Sequence, residues 1–230
     1  MAERNALPEW IARFDRDGAV AEAAGRLATT RRGLLGLAVG AAGASLLADA
    51  APAAAATPGH EDVDILNYAL GLEYIQAAFY TEADRLGALH GALAEQARIV
   101  GGHERAHVAA FRKVLGAEAI AEPTFNFQGV TEDPNAFRRT AVAFEDLAVA
   151  AYKYQAPRIH SPAYLQAAIA IHSVEARHAA WIRRLANVLP AATAFDKPLA
   201  PPTVEALVAS THFVSTPAQT RGHQAPKFTG

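Results

Sequence analysis

Two short stretches of the chain carry side chains suited to binding metal. Glu104-Arg105-Ala106-His107 and Glu175-Ala176-Arg177-His178 each place a glutamate and a histidine three residues apart. On a helix that spacing puts both on one face. The two stretches lie 71 positions apart, for the glutamates and for the histidines alike. Two further glutamates sit in a second repeated pattern. Glu73 lies in the segment from Leu72 to Tyr80 and Glu145 in the segment from Phe144 to Tyr152; Glu73 and Glu145 are 72 positions apart, as are Tyr80 and Tyr152. All four glutamates fall on apolar stripes. Four carboxylates aimed into one apolar core cannot all stay ionised unaided. An unpaired buried charge costs on the order of several kcal/mol, a large part of the roughly 5–15 kcal/mol that holds a domain folded. Two divalent cations would cancel the four negative charges. Two imidazoles complete a mixed oxygen and nitrogen donor set that suits iron or manganese.

Positioning these residues requires four helices. From about Asp62 to Leu86 the chain has no proline and shows helical apolar spacing at Ile65, Leu66, Ala69, Leu72, Ile75 and Phe79. Asp62 or Asp64 can cap this helix and Gly87 can end it. A second helix is expected from about Ala92 to Leu115, stopped by Gly116. The connection that follows holds Pro123 and Gly129 and is long enough to cross from one end of a bundle to the other. Asp133-Pro134 and Ser161-Pro162 are capping residues followed by proline at the first helical position. They start a third helix, to about Ala156, and a fourth, to about Leu189. The two helix pairs share nearly one offset and look like a duplicated hairpin. The segment 190–230 is rich in proline and reads mostly as loop, with Phe195, Leu199, Leu207, Val208 and Phe213 as candidates to dock it on the bundle.

One Glu on each of two helices, with Glu-x-x-His on each of the other two, resembles the ligand pattern of the ferritin-like di-iron and di-manganese carboxylate proteins. Glu73, Glu104, His107, Glu145, Glu175 and His178 fill all six places. The resemblance implies an all-α, ferritin-like four-helix bundle over residues 57–189, with a long connection between helices 2 and 3. It implies two divalent metal ions, Fe or Mn, bridged by carboxylates and each held by one histidine, with an open position for O2 or peroxide. Its activities would be catalase-like or ferroxidase-like, with metal ions and O2, peroxide or Fe(II) as partners; it leaves room for a homo-oligomer. The Phe195-Asp196-Lys197-Pro198-Leu199 stretch is similar to the tails of exported ferritin-like proteins, some related to desiccation-associated proteins. A non-catalytic stress or metal-sequestering protein on the same fold is the alternative.

Composition narrows these readings. The 230 residues contain no cysteine, which excludes disulfide frameworks, thiolate zinc sites, iron–sulfur clusters and a rubredoxin-type electron-delivery module. The balance of 21 basic and 23 acidic side chains lacks the basic excess of a nucleic-acid binder. Residues 1–56 read as a twin-arginine-type export signal with an extended lead. Arg31-Arg32 precedes a charge-free apolar run at 34–47, and small-x-small cleavage sites lie at Ala53 to Ala56. The run is short for an ordinary membrane span. The expected location is therefore periplasmic or extracellular, with membrane contact only through an uncleaved signal.

A rival reading is His103-Glu104-Arg105-Ala106-His107, which matches the His-Glu-x-x-His zinc protease motif. There His103 and His107 bind zinc and Glu104 is the general base. Against it, Val174 takes the place of the first histidine in the second repeat, and no third zinc ligand follows on a helix; Glu118 and Glu122 border a loop. About 100° around the helix from Glu104, His103 fits the surface or a supporting place beside a ligand. His172, one turn before Glu175, fits a supporting partner of the site, an extra ligand or a satisfied buried histidine. Tyr80 and Tyr152 can line the site or simply pack. Gly101-Gly102 suits a close helix approach or a local bulge.

Overall fold

A computed structural model describes residues 59–216. The export signal expected over 1–56 lies outside them. The described chain forms helices α1 (His60–Leu86), α2 (Gly91–Leu115), α3 (Pro134–Gln155), α4 (Pro162–Leu185) and α5 (Pro201–Ser210), and short strands β1 (Thr124–Phe125) and β2 (Val214–Thr216). The first four helices make the expected all-α bundle. None of the described helices is long and apolar enough to cross a membrane.

The stop and start signals act largely as the residues dictate. Gly87 takes the left-handed conformation (φ 67°) and its N–H returns to Ala83 O at 3.3 Å, closing α1. Asp133 caps α3 by accepting from Ala136 N at 2.6 Å. Ser161 caps α4 in the same way, through Tyr164 N. Two boundaries differ from expectation. Asp62 is not the cap of α1, which starts two residues earlier; its buried carboxylate instead accepts from His160 N (2.8 Å) and Ser161 N (3.0 Å), pinning the α3–α4 turn to the first turn of α1. The fourth helix ends at Leu185 rather than near Leu189. Asn187 turns left-handed (φ 60°), and Ala186 N, Val188 N and Asn187 N return to Ile182 O (2.9 Å), Arg183 O (2.9 Å) and Arg184 O (3.2 Å), satisfying terminal carbonyls before Pro190 is reached.

The connection between α2 and α3 does run the length of the bundle. Near its start, Ile120 N and Glu118 O bond the Asn67 side chain; near its end, Thr131 Oγ1 donates to Glu82 at 2.6 Å. Asn67 and Glu82 lie about 22 Å apart along α1 at 1.5 Å per residue. Such a crossover makes α1 and α3 antiparallel. In its middle, β1 pairs antiparallel with β2 from the tail, and Asn126 N donates to Phe213 O at 2.8 Å.

The tail is less of a loop than its prolines suggest. Pro201 and Pro202 occupy the first turn of α5, where a missing N–H costs nothing. Val204 of α5 is fully buried with Leu72 and Ala151, while Leu199 and Val208 pack against them. Phe213 packs edge-on against Phe127. Phe195, expected to dock, is 87% exposed, and Leu207 is exposed too.

Two apolar clusters fill the bundle. One centres on Phe79, which stacks on Phe137 and meets Tyr80, Phe127 and Phe144 edge-on. The other gathers Leu66, Leu70, Tyr74, Phe111, Tyr152 and Ile171. On every one of the four helices the ligand-type residues lie between the two, in a buried polar belt.

Candidate metal centre

Each of the four helices delivers its share of this belt. Glu73 comes from α1, Glu104 and His107 from α2, Glu145 from α3, and Glu175 and His178 from α4. All six are buried, and Glu104, Glu145 and Glu175 completely so. The structure brings the six together in two overlapping groups, each with one ligand atom per residue and all such atoms within 4.8 Å. One group is Glu73, Glu104, His107 and Glu175. The other is Glu104, Glu145, Glu175 and His178. Each contains three carboxylates and one imidazole, and Glu104 and Glu175 belong to both.

Both histidines point Nδ1 inward. His107 Nδ1 lies 3.2 Å from Glu73, 3.5 Å from Glu104 and 3.2 Å from Glu175. His178 Nδ1 lies 3.0 Å from Glu104, 3.6 Å from Glu145 and 3.7 Å from Glu175. The His107–Glu73 contact is a hydrogen bond, while the others are close but poorly aligned. Both oxygens of Glu104 and of Glu175, Oε2 of Glu145 and Nδ1 of His178 are buried without a well-formed hydrogen bond. Lone pairs that converge without bonding one another fit a shared cation better than a hydrogen-bonded network.

The tyrosines reach across the site. Tyr80 of α1 donates to Glu145 of α3, and Tyr152 of α3 donates to Glu73 of α1. The crossed pairing is what antiparallel α1 and α3 produce from a repeated Glu and a Tyr two turns later. Burial, followed by the neighbouring glutamate charges, holds both phenols well above their usual range, so they stay O–H donors. Gly101 permits close packing here: a Cβ on it would lie 2.9 Å from Cβ of Tyr80.

The electrostatics show how strained the charges are with protein groups alone. Burial, then Glu175 and Glu73, push Glu104 well above the carboxylate range. Burial likewise lifts Glu145 to about 7, against the opposing pull of the adjacent His178 imidazole. Burial would raise Glu175 as well, but the two imidazoles beside it draw it down to about 2. Burial disfavours a charged His178, yet Glu104, Glu145 and Glu175 together hold it up at about 12. His107 is raised in the same way, against burial, by Glu73, Glu104 and Glu175. Protons therefore balance the carboxylates wherever a cation does not.

The remaining sequence candidates separate. His103 joins neither ligand group; its Nδ1 lies 2.9 Å from Nε2 of His178. Burial and the two neighbouring histidines lower its pKa. His172 also stays out of the groups, half-buried, with Nε2 lacking a hydrogen-bond partner among the described residues.

With this geometry in view, residues 61–188 match the family model for the ferritin-like domain. The chain belongs to the ferritin-like domain family. The match spans all four bundle helices but for one residue of α1, and it ends just past α4, before α5 and β2. No curated protein matches the chain. Within this ferritin-like bundle, the carboxylate and histidine cluster is a buried site compatible with metal.

Proposed function

We propose that this ferritin-like protein holds two iron or manganese ions and uses them on O2, peroxide or Fe(II), after export by the twin-arginine route. The observation that carries the reading is the pair of overlapping ligand groups that share Glu104 and Glu175. Shared carboxylates would bridge two ions. Glu73 and His107 would complete one position, Glu145 and His178 the other. Four carboxylates against two divalent ions leave the buried site neutral, which removes the penalty of burying charge. Such ions supply redox cycling between the +2 and +3 states.

The protein's own groups do the rest. Tyr80 and Tyr152 fix the outer carboxylates by hydrogen bonding. The apolar clusters at either end keep bulk water from the ligands. The chain lacks cysteine and so has no iron–sulfur or rubredoxin route for repeated reduction. Two reactions need none: peroxide disproportionation, where peroxide is both oxidant and reductant, and Fe(II) oxidation, where the substrate supplies the electrons. The zinc protease arrangement gains no support, because Glu104 belongs to both groups and His103 faces His178 rather than joining His107.

Stopped-flow assays of both reactions, with iron and then manganese loaded, test the activity. The loaded protein should outpace free metal in at least one, and Glu104→Ala should abolish the difference. Rates equal to free metal in all four cases would leave metal sequestration as the role.

A further inference from the structure

The proposed pair of metal positions leaves His103, beside the site, unused. His103 sits on α2 one residue before Glu104, half-buried, with its Nδ1 2.9 Å from Nε2 of His178 on α4. The ring planes differ by only 15° and the centroids are 5.1 Å apart, close to the N···N distance plus the two ring radii. The contact is therefore end-on and in plane, as a linear N–H···N bond requires, rather than face to face.

We propose that His103 is a positioning residue that makes the two metal positions unequal, by accepting the Nε2–H of His178 and holding its Nδ1 toward Glu104, Glu145 and Glu175. An imidazole that binds metal through Nδ1 must carry its hydrogen on Nε2. A partner for that hydrogen fixes both tautomer and ring orientation and raises the basicity of the ligand nitrogen. His178 has such a partner. His107 does not: among the described residues nothing hydrogen-bonds its Nε2. The duplication explains the difference. The position on α4 that corresponds to His103 at the 71-residue offset is Val174, which has no nitrogen to offer. Exposure follows the same asymmetry, with the His107 side chain 11% accessible and His178 4%. The position completed by His178 is thus the tighter and more enclosed one. The position completed by His107 is the exchangeable one.

This inference rests on the two-metal reading, and the experiment separates the two. Mn(II) is titrated into the full chain by calorimetry, for the wild type, His103→Leu and His103→Gln. The wild type should bind two ions in two distinguishable steps. Leu removes the acceptor and should weaken one step roughly 10–100-fold while leaving the other nearly unchanged. Gln supplies an amide oxygen in its place and should restore most of the loss. Nitrogen-15 NMR of the metal-free wild type should show a slowly exchanging Nε2–H on His178, absent in the Leu variant. Two ions bound with unchanged or equally weakened steps in His103→Leu would overturn the role of His103 alone. So would a Gln variant no better than Leu, or a rapidly exchanging Nε2–H in the wild type. A wild type that binds no metal would overturn the two-metal reading, and this inference with it.

Discussion

At the residue scale, protons and metal ions compete for the same atoms. With protein groups alone, the surrounding glutamates hold His178 up at about 12, so it is protonated at neutral pH. Burial holds Glu145 near 7, so it is partly protonated there. A metal at Nδ1 of His178 and on Glu145 must displace both protons. Loading near pH 7 should therefore release more than one proton per chain, and affinity should fall as pH is lowered from about 8 to about 6. Titration calorimetry in two buffers of different ionisation enthalpy measures the release; identical heats in both would contradict it. The sign for stability without metal follows from the same shifts. Glu145 has a folded pKa above its ordinary 4.5, so its contribution is present below that value and lost as pH rises through about 7. His178 has a folded pKa above 6.5, and its contribution is lost only as pH rises toward 12. Glu175 runs the other way: depressed to about 2, it stabilises above 4.5 and loses its contribution as pH falls through about 2.

At the element scale, the two adjacent glycines of α2 make opposite predictions. A methyl at Gly101 would meet Cβ and backbone C of Tyr80 at 2.9 and 3.6 Å, atoms that cannot swing away. Gly101→Ala should force α1 and α2 apart and cost about 1–3 kcal/mol. Gly102 faces only the tip of the Arg105 side chain at 4.0 Å. Gly102→Ala should therefore stabilise by roughly 0.5–1 kcal/mol through helix propensity. Thermal melts of the two variants decide it; equal shifts would contradict the close approach. The sequence made the bundle legible because its punctuation is local. Gly87, Gly116, Asp133-Pro134 and Ser161-Pro162 act on their own backbone, so they mark helix ends without tertiary information. Elements governed by distant partners were not legible in that way. Asp62 looks like a cap but serves the α3–α4 turn nearly a hundred residues away. Helix α5 is short and opens on two prolines, and its one buried side chain, Val204, has meaning only against Leu72 and Ala151. The six ligand-type residues were visible because duplication wrote them twice. Which glutamates are shared between the groups, and which tyrosine meets which glutamate, depends on the antiparallel crossover and appears only in three dimensions.

At the scale of the whole molecule, we propose that the stretch ahead of the ferritin-like bundle directs export. Arg31-Arg32 followed by the apolar run at 34–47 is the basis for the proposed export. Changing both arginines to lysine keeps the charge but removes the paired signal, and the precursor should then stay in the cytoplasm. Fractionation of cells expressing the two forms checks this; normal delivery of the double variant would contradict the twin-arginine route.

The proposed function requires Glu73, Glu104, His107, Glu145, Glu175 and His178 to form one site for two ions. Metal content of the full chain, loaded with Fe(II) or Mn(II) and measured by elemental analysis after removal of free ions, tests it most directly. About two ions per chain are expected, with fewer in Glu145→Ala and in His178→Ala and the wild-type number retained in His103→Ala when metal is saturating. Loss of all metal in His103→Ala, with Glu145→Ala unaffected, would contradict it.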